Sequence, residues 1–206
     1  MVDLFNYTRR ASSVAHIGAL DLGGDNPIRI QSMTTTNTND TEACVRQAEE
    51  IIKAGGELVR FTTQGSREAE NMKNINAGIR ADGYQTPLVA DVHFNPNVAD
   101  VAALYCEKVR VNPGNYVDPA RKFIKQEYTD EEYAHELKKI EERFVPFLNI
   151  CKENHTAIRI GVNHGSLSDR IRNRYGDTPE GIVESCLEFL RICKKENFHD
   201  VVISIK

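Results

Sequence analysis

The sequence predicts an α/β protein of the (β/α)₈ TIM-barrel type, truncated after about six βα units and preceded by an N-terminal hairpin arm. A strand-then-helix pattern recurs six times at about 25 to 45 residues per unit, which specifies a parallel sheet with right-handed crossovers. One strand, Thr86 to His93, is almost continuously apolar until its last residues, the mark of a strand buried on both faces. Arginine, lysine and asparagine side chains gather at the C-terminal ends of the strands, where a barrel keeps its chemistry. An open doubly wound sheet would carry G-x-G-x-x-G after its first strand, and here that turn is threonine-rich instead.

With 40% hydrophobic and 27% charged residues, the 206-residue chain has ordinary globular composition. A net charge of −4 supplies no bulk basic field for nucleic acid or an anionic membrane, so any cation cluster is local. No apolar stretch approaches the roughly 20 residues of a membrane span, and Met1 to Arg10 lacks the apolar run of a signal peptide. The expectation is a soluble, cytoplasmic protein.

Residues 1–24 read as the hairpin arm, because Val14 to Leu22 alternates apolar residues and ends at Gly23-Gly24. Such an arm would plug or cover a larger sheet. Residues 25–206 read as a partial barrel. Pro27 to Met33 is its first strand, followed by the polar run Thr34 to Asp40, either a solvated loop or a hydrogen-bonding wall over a ligand. A helix from Thr41 follows on the spacing of Val45, Ala48, Ile51 and Ile52, and Gly55-Gly56 stops it. Leu58 to Thr62 is the second strand, and Ser66 is placed to cap a helix carrying Ala69, Met72, Ile75 and Ile79.

After the third strand, a short helix from Pro96 to Tyr105 leads to the fourth, Glu107 to Asn112, which Pro113-Gly114 ends. Asp118 to Tyr128 reads as irregular. Thr129-x-x-Glu132 is a capping box for a long helix, in which Pro146 should cause a kink or a restart. Thr156 to Asn163 is the fifth strand, Thr178-Pro179 starts the next helix, and Asp200 to Lys206 is the sixth strand. With two strands and their helices unwritten, the expectation is a fragment of a longer protein.

Aligned by their C-terminal ends, the strands bring together Arg60, Asp91 with His93, Arg110 with Asn112, Arg159 with Asn163, and Lys206. Residues two apart on a strand share a face, so Asp91 with His93 and Arg110 with Asn112 point together into the mouth. Four cations in one pocket repel one another and lose hydration, which an anion would offset. The planar fork of arginine suits phosphate, and the implied ligand carries at least two phosphate charges. His164, directly after Asn163, stays open as a further mouth residue. His16, His135, His155 and His199 read as surface or loop residues.

The stretches QSMTTTNTND, LVRFTT, PLVADVHF, KVRVNPGN, AIRIGVNHGSLSDRI and VVISIK, in that order, resemble the 4-hydroxy-3-methylbut-2-enyl diphosphate synthase family of isoprenoid biosynthesis. The segment YTDEEYAHELKKIEERF resembles the longer form of that enzyme, which has an extra domain. The resemblance implies a barrel that binds 2-C-methyl-D-erythritol 2,4-cyclodiphosphate, which the whole enzyme reductively opens and dehydrates by the methylerythritol phosphate pathway. It implies that Arg60, Arg110, Arg159 and Lys206 grip the diphosphate and that Asn112 and Asn163 complete its hydrogen bonds. Asp91 and His93 would line the reacting end as catalytic residues.

A [4Fe-4S] cluster in a separate C-terminal domain, a ferredoxin or flavodoxin-type reductant and a homodimer are implied for the whole enzyme. The family's cluster cysteines have no counterpart in this chain. Cys44, Cys106, Cys151, Cys186 and Cys193 are scattered, without Cys-x-x-Cys or zinc-ligand spacing, so no metal is expected here and the fragment alone should be inactive. A pterin-binding barrel, such as a dihydropteroate synthase or methyltransferase, and a non-catalytic phosphate-binding module are the alternatives.

Overall fold

The computed structural model describes residues 10–118 and 127–206. It opens with an antiparallel hairpin, β1 (Val14–Ile17) and β2 (Leu20–Gly23). Six parallel strands follow: β3 (Gln31–Met33), β4 (Leu58–Thr63), β5 (Leu88–Val92), β6 (Lys108–Val111), β7 (Ala157–Val162) and β8 (Val201–Ile205). They pair strictly in chain order, giving one curled sheet with β3 and β8 at its edges. This is the predicted barrel-type sheet.

Helices α1 (Thr41–Lys53), α2 (Ser66–Ala81), α3 (Pro96–Ala103), α4 (Asp130–Asn154), α5 (Asp169–Tyr175) and α6 (Pro179–Lys195) connect the strands. Alternate strand residues explain where stability resides. Val59, Phe61, Ala90, Val92, Val109, Val111, Ile158 and Ile160 face outward into the helix layer and form the main core with Met72, Ile75, Phe144, Phe147 and Phe189. Each fully buried side chain of this size contributes about 1.5 to 3 kcal/mol. Phe144 and Phe189 meet edge to face at 4.9 Å, joining α4 to α6.

The opposite strand face starts with a small apolar floor of Leu58, Val89 and Ala157, on which Ile17 of the hairpin is fully buried. The hairpin therefore plugs the N-terminal ends of the strands. A hydrogen bond from the His16 backbone N–H to Asp200 helps hold it there, at 2.8 Å.

Four details differ from the sequence reading. The first barrel strand is only three residues long, since Pro27 offers no N–H and Ile28 and Ile30 lie exposed beside an unpaired edge. Gly65, not Ser66, is the cap of α2, and its N–H donates to Glu68 at 2.6 Å. α4 runs through Pro146 without restarting. Pro146 is exposed, so the carbonyl it leaves unbonded faces water, while Phe144, Phe147 and Leu148 anchor both sides of it. α5 was not foreseen, although Ser168 accepts the Ile171 N–H as its cap. Of the predicted irregular segment Asp118 to Tyr128, residues 119–126 lie outside the described part.

Candidate anion site on the inner strand face

The inner face above the apolar floor is strongly charged. Sheet register places Thr62, Asp91, Arg110 and Arg159 at one level, and Arg60 and Lys108 at the level below. The period of two that sends Val109 outward sends Lys108, Arg110 and Asn112 inward. Asp91, 1% exposed, is the one carboxylate at these inner positions among the described strands. Arg60 Nη2 donates to Asp91 Oδ2 through a short hydrogen bond. Arg110 Nη1 donates to Asp91 Oδ1 at 3.2 Å, and Arg110 Nη2 to the Gly161 carbonyl at 2.9 Å.

Arg159 comes within 2.8 Å of Ser204, to which it donates, but makes no ion pair with Asp91 at hydrogen-bond range. Burial, followed by the repulsion of Arg60 and Arg110, lowers its proton affinity. Arg110 is lowered as well, chiefly by burial. Three guanidinium groups thus share one carboxylate. His93 Nε2 lies 3.7 Å from Asp91 Oδ2, too far for a hydrogen bond. Its Nδ1, like Arg60 Nε, is buried without a hydrogen-bond partner among the described residues. Such buried donors are costly to leave unmatched, and both belong to residues of the cation cluster.

Asn112 and Asn163 occupy equivalent places and do equivalent local work. Asn112 Oδ1 accepts the Gly114 N–H at 3.3 Å, and its Nδ2 donates to Ser166 at 2.9 Å. Asn163 Oδ1 accepts the Gly165 N–H at 3.0 Å. Each thereby caps a single 3₁₀ turn after its strand. Gly114 packs so tightly on the Ser166 carbonyl that a Cβ would overlap it. Lys206 is exposed just past β8 and its carbonyl accepts the His164 N–H at 2.9 Å. The His164 ring turns instead to Asp177, which Arg172 also binds.

The threonine-rich run is a hydrogen-bonded wall on the protein side. Thr34 and Thr38 are buried, and their hydroxyls donate to the carbonyls of Arg60 and Thr62. Thr35 and Thr36 donate backbone N–H groups to Gln47 of α1.

Sequence reasoning missed three features. Lys108 is 1% exposed on the inner face, and the period-two spacing with Arg110 was the signal for it. Gly161 is a second: a Cβ there would overlap Arg110 Nε and lie 3.0 Å from its Cζ. The third is a buried cluster in which Arg170 binds Glu188 through both fork nitrogens, at 2.6 and 2.8 Å, and also holds Asp118. Tyr133 donates to the same Glu188, and its ring lies 4.8 Å from the guanidinium. These contacts tie the segments after β6 and β7 to α4 and α6 beside the mouth.

Among the described residues no three His, Cys, Asp or Glu side chains converge as a metal set. All five cysteines are buried and free, and burial raises each thiol, Cys186 to about 11 and Cys193 to about 12. Protonated, dispersed thiols do not fit an iron–sulfur cluster, whose ligands are thiolates. No described helix is long and apolar enough to cross a membrane.

Fold and site together define a parallel βα sheet of the barrel type whose inner face gathers three arginines around one carboxylate. A family model described as the GcpE TIM-barrel domain matches residues 12–206, and the chain belongs to that family. It is 77% identical over 205 residues to a 4-hydroxy-3-methylbut-2-en-1-yl diphosphate synthase (flavodoxin) of Phocaeicola vulgatus, covering all of this chain and 33% of the relative. A protein of the same name from Parabacteroides distasonis is 68% identical over 202 residues. The chain thus spans about a third of the length of these curated relatives. A truncated 3-deoxy-D-arabino-heptulosonate 7-phosphate synthase from Thermotoga maritima shares the fold, with a TM-score of 0.56 at 10% identity over 94% of this chain and 56% of that one.

Proposed function

We propose that this chain is the substrate-binding barrel of a 4-hydroxy-3-methylbut-2-enyl diphosphate synthase, with 2-C-methyl-D-erythritol 2,4-cyclodiphosphate held over Arg60, Arg110 and Arg159. The observation that carries the reading is three guanidinium groups on adjacent inner strand positions with Asp91 as their one carboxylate. A ligand with two negative charges would bring that cluster close to neutrality. Lys206, at the rim, and Asn163, whose amide nitrogen points no hydrogen bond at the described residues, would add donors from the last two strands. Asn112 would act mainly through the turn that it caps.

Asp91 and His93 would serve the reacting end. Asp91 fixes two arginines, and His93, half-exposed beside it, is the group able to deliver or accept a proton there. The whole reaction adds two electrons and two protons to the cyclic diphosphate and releases water with the allylic diphosphate. This chain's cysteines do not fit the electron-carrying [4Fe-4S] cluster, so no reductive step is assigned to its residues. The cluster domain, a flavodoxin-type reductant, a homodimeric assembly and a cytoplasmic setting belong to the proposal for the full-length protein. Identity of 77% to a named synthase favours this reading over a pterin-binding barrel.

Calorimetry of the cyclic diphosphate on the full-length protein tests it. Arg110→Ala should weaken binding by about 1.5 to 3 kcal/mol, the scale of lost charge-assisted hydrogen bonds. Unchanged affinity would remove Arg110 from the site.

A further inference from the structure

The deepest cation of the cradle has no part in the binding scheme above. Lys108 opens β6 two residues before Arg110 on the same inward face, about 6 to 7 Å deeper along the strand. Among the described residues its ammonium nitrogen donates one hydrogen bond, to Gln31 of β3 at 3.1 Å, although an ammonium carries three donors. β4 contributes Arg60 at the same level, β7 contributes Arg159 above Ala157, and β5 contributes Val89 beside it with Asp91 above. Val89 and Ala157, at the level of Lys108, belong with Leu58 to the apolar floor sealed by Ile17. Asp91 is already engaged by Arg60 and Arg110.

We propose that binding of a doubly anionic ligand over Arg60, Arg110 and Arg159 is coupled to protonation of Lys108, which becomes a full second tier of positive charge when the anion is present. The coupling rests on the diphosphate reading of the same site. Burial, then the charges of Arg159 and Arg60, lower the Lys108 ammonium to about 7. An anion lying on those two arginines cancels the repulsion that they exert on the lysine below. The amine then takes a proton from solvent. In the empty cradle the neutral amine spares the three arginines a fourth charge. The cyclic diphosphate has no monoester phosphate and so lacks an ionisation near pH 6, leaving the protein as the proton acceptor.

Titration calorimetry of the full-length protein with the cyclic diphosphate at pH 8, in buffers of different ionisation enthalpy, reads the protons taken up. Wild type should take up about 0.9 proton at pH 8 and about 0.5 at pH 7, as expected for a group titrating near 7. Lys108→Met should bind without that uptake, whereas His93→Asn should keep it. Binding of wild type without proton uptake, or undiminished uptake by Lys108→Met, would overturn the coupling. Should Lys108→Met not fold, the wild-type trend decides: uptake that shrinks rather than grows from pH 7 to pH 8 overturns it equally. A complete lack of binding by wild type would instead remove the diphosphate reading, and the coupling with it.

Discussion

Gly161→Ala tests the cradle without deleting any charge. Gly161 lies on the inner face of β7, and Arg110 crosses directly over it to reach its carbonyl. The added methyl would overlap Nε and stand 3.0 Å from Cζ and 3.1 Å from Nη2, so the guanidinium must move. Arg110 is 8% exposed and held by Asp91 on its other side, leaving it little room to shift and keep both bonds. Displacing it should lose roughly the same charge-assisted bonds to ligand as Arg110→Ala, about 1.5 to 3 kcal/mol. That is about 10- to 150-fold in affinity. Calorimetry with the cyclic diphosphate reads it, and the double variant Gly161→Ala with Arg110→Ala should be little worse than either single one, since both act on one group. Affinity within twofold of wild type for Gly161→Ala, with Arg110→Ala impaired, would refute the idea that this glycine sets the arginine's position.

Asp91→Asn should destabilise the fold by about 3 to 5 kcal/mol, because it strips two inward arginines of their countercharge; an unchanged urea midpoint would contradict this. Lys108, lowered to about 7, sheds its proton in the folded chain while the unfolded chain still holds one. Stability relative to Lys108→Met should therefore rise with pH above 7, by up to about 1.4 kcal/mol per unit, and equal slopes in urea melts at pH 7.5 and 8.5 would sink it. The β3 and β8 edges expose Ile28, Ile30, Ile203 and Ile205, so this 206-residue chain should self-associate by edge pairing or docking of its open sides. Light scattering that stays monomeric at all concentrations would exclude that.

The outward half of each strand was legible in the sequence because burial on a helix layer demands an apolar run. The charged cluster was legible for the complementary reason: Asp91, Arg110 and Arg159 interrupt such runs at one register and Arg60 does so one level below, where nothing but an inner face could hold them. What escaped needed three dimensions. Lys108 looked like the polar start of a strand, and its burial depends on a floor built from Ile17, nearly a hundred residues earlier in the chain. Gly161 escaped because its neighbour Arg110 lies on another strand. Arg170 and Glu188 carry no sequence pattern that joins them, and only packing of α5 on α6 makes them a buried pair. The threonine run left a solvated loop and a wall over a ligand open because hydroxyls suit water and a polar ligand equally, and the structure turns Thr34 and Thr38 to backbone carbonyls instead. Its partners, the carbonyls of Arg60 and Thr62, are set by sheet pairing.

The two faces of the sheet divide apolar burial from charge, and the hairpin decides how sharply. Outward positions supply apolar burial that does not depend on the inner charges, so the inner face can carry three arginines and a lysine around one carboxylate without unfolding the domain. The plug of Ile17 on Leu58, Val89 and Ala157 closes the bottom of that face to water. A dry floor strengthens each electrostatic interaction above it, repulsive as well as attractive. That is why Lys108, nearest the floor, is the cation most shifted toward its neutral form, while Lys206 at the open rim remains exposed. Charge therefore changes kind along the gradient from floor to rim: a titratable amine lies deepest, guanidinium groups stand above it, and Lys206 lies exposed at the rim.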